Sequence, residues 1–156
     1  MAIEIERKFL VINDSWRDTA GPGLPIKQGY LVGGKDASVR VRIQGDTANL
    51  NIKSATLGVC RQEFEYAIPL ADAEVMLLTL CHRPIIEKKR YLVAYAGKQW
   101  EIDVFEGDNA GLIVAELELR EEAEPYESPP WLGEEVSHDP RYYNTCLSQH
   151  PYKNWE

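Results

Sequence analysis

Most of this chain alternates between apolar and polar residues with a period of two, the period of a β-strand. The pattern runs through 2–12, 26–33, 38–45, 48–54, 60–69, 85–95, 98–106 and 112–121. Turn chemistry separates the segments: GPGLP at 21–25, GGKD at 33–36, QGD at 44–46, YAGK at 95–98 and EGDNAG at 106–111. Several of these breaks have hairpin length, so the expected sheet is antiparallel. Eight strands in 156 residues leave little room for helix. One helix is expected near 72–82, capped by Asp72 and apolar through Val75, Met76, Leu78 and Leu80. A second is expected near 140–149, where Asp139 caps and Pro140 takes the first helical position. Between them, EEAEPYESPPW reads as an acidic, proline-rich loop.

Alternate side chains of a strand face opposite ways. Sorted by that rule, one face is charged on nearly every strand. Glu4, Glu6 and Lys8 oppose Ile3, Ile5, Phe9 and Val11, with Arg7 on the apolar side. Arg40 and Arg42 oppose Val39, Val41 and Ile43, and Lys53 opposes Ile52. Glu63 and Glu65 oppose Phe64 and Tyr66, and Lys88 and Arg90 share a face. Glu101 and Asp103 oppose Ile102 and Val104, and Glu116 and Glu118 oppose Ala115 and Leu117. The segment PIKQGYLVG is the exception, with no such charge pair.

A sheet with one wet face would also show polar residues there, as many antiparallel sheets do. It would mix its charges with Ser, Thr and Gln and alternate their signs. Here like charges sit side by side, and like neighbours repel. The reading that accommodates them is a closed eight-stranded antiparallel barrel with the charges in its lumen. Closure removes sheet edges, and eight strands leave space for one small ligand. The expected fold is therefore mainly β, a single domain over 1–156. The helix near 72–82 covers the barrel, and the C-terminal helix near 140–149 closes one end. The remaining apolar outer face needs a cover, and a homodimer through that face is one.

This inner face carries eight acids and six bases, a net of −2. Crowded charges in a confined space need pairing, hydration or bound ions. Carboxylates without His or Cys suit a hard divalent cation, Mg²⁺ or Mn²⁺. Clustered Lys and Arg suit phosphate. Two divalent ions turn −2 into +2, so the lumen is suited to a metal–polyphosphate complex. The whole chain is acidic, with 17 Lys and Arg against 25 Asp and Glu and a net charge of −8. Duplex nucleic acids and anionic membranes reward the opposite sign and are not expected partners. No apolar stretch approaches the ~20 residues of a membrane span. The N-terminus shows no basic leader followed by an apolar run. Cys60, Cys81 and Cys146 have no paired spacing and read as reduced thiols of a cytoplasmic protein. His82, His138 and His150 lack metal-ligand spacing, and Tyr142 and Tyr143 are expected to pack the closing helix, unless one lines the lumen.

These residues resemble a known family. EIERKFLV at 4–11 is similar to the ExExK signature of the CYTH superfamily, the triphosphate tunnel metalloenzymes. The resemblance continues through QGYL at 28–31, VRVR at 39–42, NIKS at 51–54, RQEFEY at 61–66, EKKRY at 87–91, EIDVF at 101–105, AELEL at 115–119 and WLGEEVSHDPRYYN at 131–144. Within the superfamily the short bacterial inorganic triphosphatases are most similar. The resemblance implies metal-dependent hydrolysis of inorganic triphosphate to pyrophosphate and phosphate inside the tunnel. It implies Glu4, Glu6, Glu116 and Glu118, with Asp103 more weakly, as metal carboxylates. Lys8, Arg40, Arg42, Lys53, Lys88 and Arg90 become the phosphate clamp. Lys8, Glu63 and Glu65 become the catalytic group, the two acids lying near a second metal or its water. Glu101 rests on strand parity alone.

The rival enzymes are nucleoside or thiamine triphosphatases and class IV adenylyl cyclases. Those cyclases carry a His-Phe pair before ExExK, and only Met1, Ala2 and Ile3 precede Glu4 here. The rival outside enzymes is a polyphosphate- or nucleotide-binding module, which would not need both acidic groups.

Overall fold

The computed structural model describes residues 3–56 and 58–155. The strands are β1 (Ile3–Val11), β2 (Leu24–Gly33), β3 (Ala37–Gln44), β4 (Thr47–Ser54), β5 (Cys60–Ile68), β6 (Ile86–Tyr95), β7 (Lys98–Phe105), β8 (Ile113–Leu119) and β9 (Leu132–Glu135). Two α-helices accompany them, α1 (Leu70–Thr79) and α2 (Asn144–Leu147). All the pairings are antiparallel. The hydrogen-bonded order is β5-β4-β3-β2-β6-β7-β8-β1, and β1 returns to β5, which closes eight strands into a barrel. Each expected strand is present. Residue 2, expected to open the first, lies outside the described residues.

The seam is short. Ile3, Glu4 and Ile5 pair with Gln62, Arg61 and Cys60, and then the strands part. Farther along, the exposed edge of β1 is taken by β9, with Phe9 opposite Glu135 and Val11 opposite Leu132. β9 carries little alternation in its four residues, LGEE, and was not among the expected strands. A close approach explains Gly133: a Cβ there would lie 2.9 Å from the Leu10 carbonyl oxygen.

Two apolar clusters cover the outside. Phe9, Trp100, Ile102, Ala115, Leu117 and Trp131 pack together beneath a 3-10 turn at Ser15–Asp18, which delivers the fully buried Trp16. Trp100 meets Phe9, Tyr126 and Trp131 edge-on at 5.4–5.8 Å, which pins the acidic loop to the barrel. On the other side Ala73 and Leu77 of α1 cover Val41 and Ala48. Each fully buried side chain of this size contributes about 1.5–3 kcal/mol.

A third cluster lies inside. Tyr30, Ile86, Phe105 and Val114 turn apolar side chains into one end of the barrel, and Leu112 and Leu147 seal it. The inner face of β6 therefore runs from Ile86 through Lys88 to Arg90, and that of β8 from Val114 through Glu116 to Glu118. The barrel is sealed at one end by apolar side chains, and its charged residues lie above them.

Both helices differ from their expected bounds. α1 starts at Leu70, because the Pro69 carbonyl accepts the first helical bond from Ala73 N–H. Asp72 thus sits in the first turn, where the helix dipole favours it. The helix stops at Thr79, and Arg83 donates to the Leu78 carbonyl at 2.7 Å. The closing segment is not one helix. Asp139 accepts from Arg141 N–H as a cap should, but only a 3-10 turn follows, Pro140–Tyr142. Tyr143 is extended (φ −72°, ψ 139°), and α2 then adds a single turn. The break turns the Tyr143 side chain inward, where its hydroxyl donates to the Ser137 carbonyl at 2.6 Å and accepts from Gly58 N–H at 3.1 Å. No helix among the described residues is long and apolar enough to cross a membrane.

Candidate active site

The barrel encloses a cavity of about 320 Å³. Of the residues singled out in the sequence, Glu4, Glu6, Lys8, Arg40, Arg42, Lys53, Glu63, Glu65, Arg90, Glu116 and Glu118 line it, and so does Glu101. Lys88 and Asp103 do not. They lie beneath it, both fully buried.

Those two belong to an ion-paired floor. Arg90 donates twice to Asp103, Nε to Oδ1 at 2.8 Å and Nη2 to Oδ2 at 2.9 Å, in a bidentate fork. Lys88 Nζ reaches the same carboxylate at 2.7 Å and Asn144 Oδ1 of α2 at 3.2 Å. Burial would raise the Asp103 carboxyl, but Arg90 and Lys88 hold it below its ordinary range. Burial pushes Lys88 down to about 7, with Asp103 pulling the other way. Arg90 also donates to Glu101 at 3.2 Å.

A second paired group stands where β1 meets β5. Lys53 Nζ lies 2.9 Å from Glu4 and 3.6 Å from Glu63. The buried Asn51 amide donates to Glu63 at 2.9 Å and to Glu65 at 3.2 Å, fixing both acids. Although burial raises Glu63, Asn51 and Lys53 bring it below the ordinary carboxylate. Burial raises Glu118, and Glu4 and Glu63 add to the effect.

The remaining bases have no such partner. Among the described residues no ion pair joins Lys8, Arg40, Arg42 or Arg61 to a carboxylate. Arg40 and Arg42 are buried, and Arg40 Nε has no hydrogen-bond partner among the described residues. Arg42 Nε donates to Gln28 at 2.9 Å. Burial, then Arg40 and Arg90, push the Arg42 guanidinium down to about 9. Lys8 Nζ donates to the Tyr142 carbonyl at 3.3 Å. Unpaired buried cations are costly, and a polyanion would relieve them.

Against them stand three acids. Glu6, Glu101 and Glu116 each offer an oxygen within 4.8 Å of the others. Burial, and then Glu116, raise Glu6 well above the ordinary carboxylate. Glu116 goes the other way: burial opposes it, but Lys8 and the Glu6 hydrogen bond hold it well below. Like charges at this range push the two carboxyls apart in acidity, so that Glu6 keeps its proton longer than Glu116 does. Oxygen donors so placed fit a hard divalent cation, which would replace that proton.

Arg61 was missed in the sequence, although the signal was there. It stands two and four residues before Glu63 and Glu65, on the same parity, and faces Glu4 across the seam. With it the inner face holds eight acids and seven bases, a net of −1. Tyr143, Ser38 and Thr145 also line the cavity, delivered by the closing segment and by β3.

The CYTH domain model matches residues 2–143. The chain belongs to the CYTH family. It is 44% identical over 156 residues to an inorganic triphosphatase of Acetivibrio thermocellus, covering 100% of this chain and 99% of that one. It is 38% identical over 149 residues to an inorganic triphosphatase of Nitrosomonas europaea, covering 93% and 96%. The crystal structure of the inorganic triphosphatase NE1496 superposes with a TM-score of 0.66 at 36% identity, over 92% of this chain and 96% of that one.

Proposed function

We propose that the chain hydrolyses inorganic triphosphate to pyrophosphate and phosphate within the barrel, with Mg²⁺ or Mn²⁺. The observation that carries this reading is the cavity of about 320 Å³ in which unpaired bases face a crowded carboxylate triad. Its volume suits a small ligand, and its walls are nearly all charged or polar. The names of the two relatives support the same substrate.

Lys8, Arg40, Arg42 and Arg61 take the phosphate oxygens and offset their charge, including that on the departing pyrophosphate. Glu6, Glu101 and Glu116 hold the divalent cation, with Glu4 and Glu118 as further carboxylates at the mouth. Bound there, the ion supplies Lewis-acid polarisation of phosphate oxygens and a more acidic water. Asp103 we assign to positioning: it is committed to Lys88 beneath the cavity and to Arg90 in its wall. To Glu63, steadied by Asn51, we assign the proton of the attacking water. Glu65 shares that Asn51 contact and supports it. As water attacks the terminal phosphorus, an O–P bond forms, the anhydride bond breaks, and the proton passes to the carboxylate.

The free cysteines support a cytoplasmic setting, and the net charge of −8 sets the chain against nucleic acid. Phe64 and Tyr66 lie exposed on the outside of β5 and supply an apolar face for a homodimer. The test of the central reading is turnover by purified protein. Triphosphate, ATP, thiamine triphosphate and long polyphosphate are each supplied with Mg²⁺ or Mn²⁺. Phosphate and pyrophosphate from triphosphate, with ATP the poorer substrate, are expected. Equal turnover of ATP, or formation of cyclic AMP, would overturn it.

A further inference from the structure

A second cavity, of about 310 Å³, adjoins the first. The two share Ser38, Arg61, Tyr143 and Thr145 as a common wall. Their chemistry differs. Beyond the wall the lining is mixed: Ser54, Thr56 and Gln149 offer hydroxyls and an amide, and Ala55, Pro140 and Cys146 offer apolar surface beside two glycines. Arg61 is its only charged residue among the described residues. A polyphosphate chain has little to hold it there. An uncharged polar group does, and each cavity alone is at the lower end of the ~300–1,000 Å³ of small-molecule sites.

The wall is built from one side chain held by hydrogen bonds, Tyr143, and one held only by stacking, Arg61. The Tyr143 hydroxyl is held at both ends, donating to the Ser137 carbonyl and accepting from Gly58 N–H. Gly58 has φ +110°, a conformation that side-chain-bearing residues rarely adopt and that presents this N–H. The Tyr143 ring therefore cannot swing aside without losing both bonds. The Arg61 guanidinium lies over that ring, 4.5 Å from its centre, and no carboxylate pairs with it among the described residues. Arg61 has no anchor of that kind among the described residues.

We propose that Arg61, laid across Tyr143, is the residue that selects bare triphosphate over nucleoside triphosphates, by closing the lumen to a side cavity fit for a nucleoside. This rests on the triphosphatase reading and adds to it a cause for the selectivity. In the closed position Arg61 meets the end of a triphosphate with its charge. The same position fills the passage through which an esterified end would leave the lumen. Loss of its charge weakens both kinds of substrate; loss of its bulk helps only the one with an organic end. The ratio between the two therefore isolates the steric part.

The experiment measures kcat/KM for triphosphate and for ATP with Mg²⁺, in wild type, Arg61→Ala, Arg61→Gln and the double variant Arg61→Ala/Gln149→Trp. Binding of ATP and triphosphate analogues with an unreactive β,γ bridge is measured in parallel. The triphosphate-to-ATP ratio should fall by about tenfold or more in Arg61→Ala, in turnover and in binding, as steric selectivities run. Arg61→Gln should fall between, and Gln149→Trp, which fills the side cavity from an exposed position, should restore the ratio. An unchanged ratio in Arg61→Ala, or a fall that Gln149→Trp leaves in place, overturns the proposal. Circular dichroism melting checks that each variant is folded, and Arg61→Gln supplies the reading if Arg61→Ala is not. A wild type that fails to hydrolyse triphosphate contradicts the triphosphatase reading instead; the analogue-binding ratios still test Arg61.

Discussion

The floor of the barrel and the cavity above it are built from the same kinds of side chain and do opposite work. In the floor one carboxylate, Asp103, is gripped by Arg90 and Lys88 at 2.7–2.9 Å, and the charges are spent on one another. In the cavity Lys8, Arg40, Arg42 and Arg61 lack such partners among the described residues, while Glu6, Glu101 and Glu116 crowd together with Arg90 beside only the last two. Paired charges fix a shape. Unpaired ones are a standing demand for a ligand, and folding alone would not select them. The difference predicts that substitutions in the floor act on stability and those in the cavity on binding and turnover.

The largest effect is expected at Asp103. Asp103→Ala takes the ion-pair partner of buried Lys88 and leaves Arg90 with only Glu101 and Glu116 beside it, so unfolding free energy should fall by about 3–5 kcal/mol in denaturant melts. A loss of activity with unchanged stability would erase the distinction between floor and cavity. Next is Glu116→Gln, which removes a cavity carboxylate at nearly constant shape. Turnover should drop by about a hundredfold or more, as when a preorganised charge-stabilising group is lost. The melting temperature of metal-free protein should hold or rise, because a like-charge neighbour of Glu6 and Glu101 has gone. Retained activity would remove Glu116 from the site.

Arg40→Ala comes third. A charged hydrogen bond to phosphate is worth about 1.5–3 kcal/mol, so KM for triphosphate should rise roughly ten- to a hundredfold. Stability should barely move, since Arg40 has no ion pair to lose among the described residues. A KM unchanged from wild type would show that the unpaired bases are not the clamp.

How much of this contrast could be read from sequence follows from strand geometry. Alternation tells which face a side chain takes, so the charged lumen and eight-strand closure were legible from residues such as Glu4, Glu6 and Lys8. Alternation does not tell depth. Strand tilt and stagger set that, and they alone put Asp103 opposite Arg90 while Glu101 stands opposite Glu116. The resemblance implied Asp103 more weakly as a metal carboxylate, and Glu101 had only parity to recommend it; their different depths were not legible in either. Arg61 obeyed the same parity and was passed over, because the like-charge pair Glu63 and Glu65 defined that strand's inner face. β9 and the broken closing segment depend on contacts distant in sequence, Glu135 with Phe9 and Tyr143 with Gly58, that no local pattern announces.

The smallest predicted effect is on pH dependence. In metal-free protein Glu6 keeps a proton above the usual carboxylate range, through burial and Glu116. A cation must displace it, so divalent metal affinity should rise with pH while Glu6 remains protonated. The limit is about tenfold per pH unit for one proton released. Titrations in buffers of different ionisation enthalpy count that proton, and an affinity that falls with rising pH would give the sign the wrong way.

The central claim is that the cavity is built for metal and triphosphate together. Its inner face sums to −1, so bare triphosphate should bind poorly despite the unpaired bases, and a divalent ion should reverse the balance. Calorimetry of a slowly hydrolysed triphosphate analogue, with Mg²⁺ and with chelator, measures this directly. The account predicts tighter binding with Mg²⁺, by a coupling of about 1–3 kcal/mol, and an equal tightening of Mg²⁺ by the analogue. Equal affinity in Mg²⁺ and in chelator would contradict it.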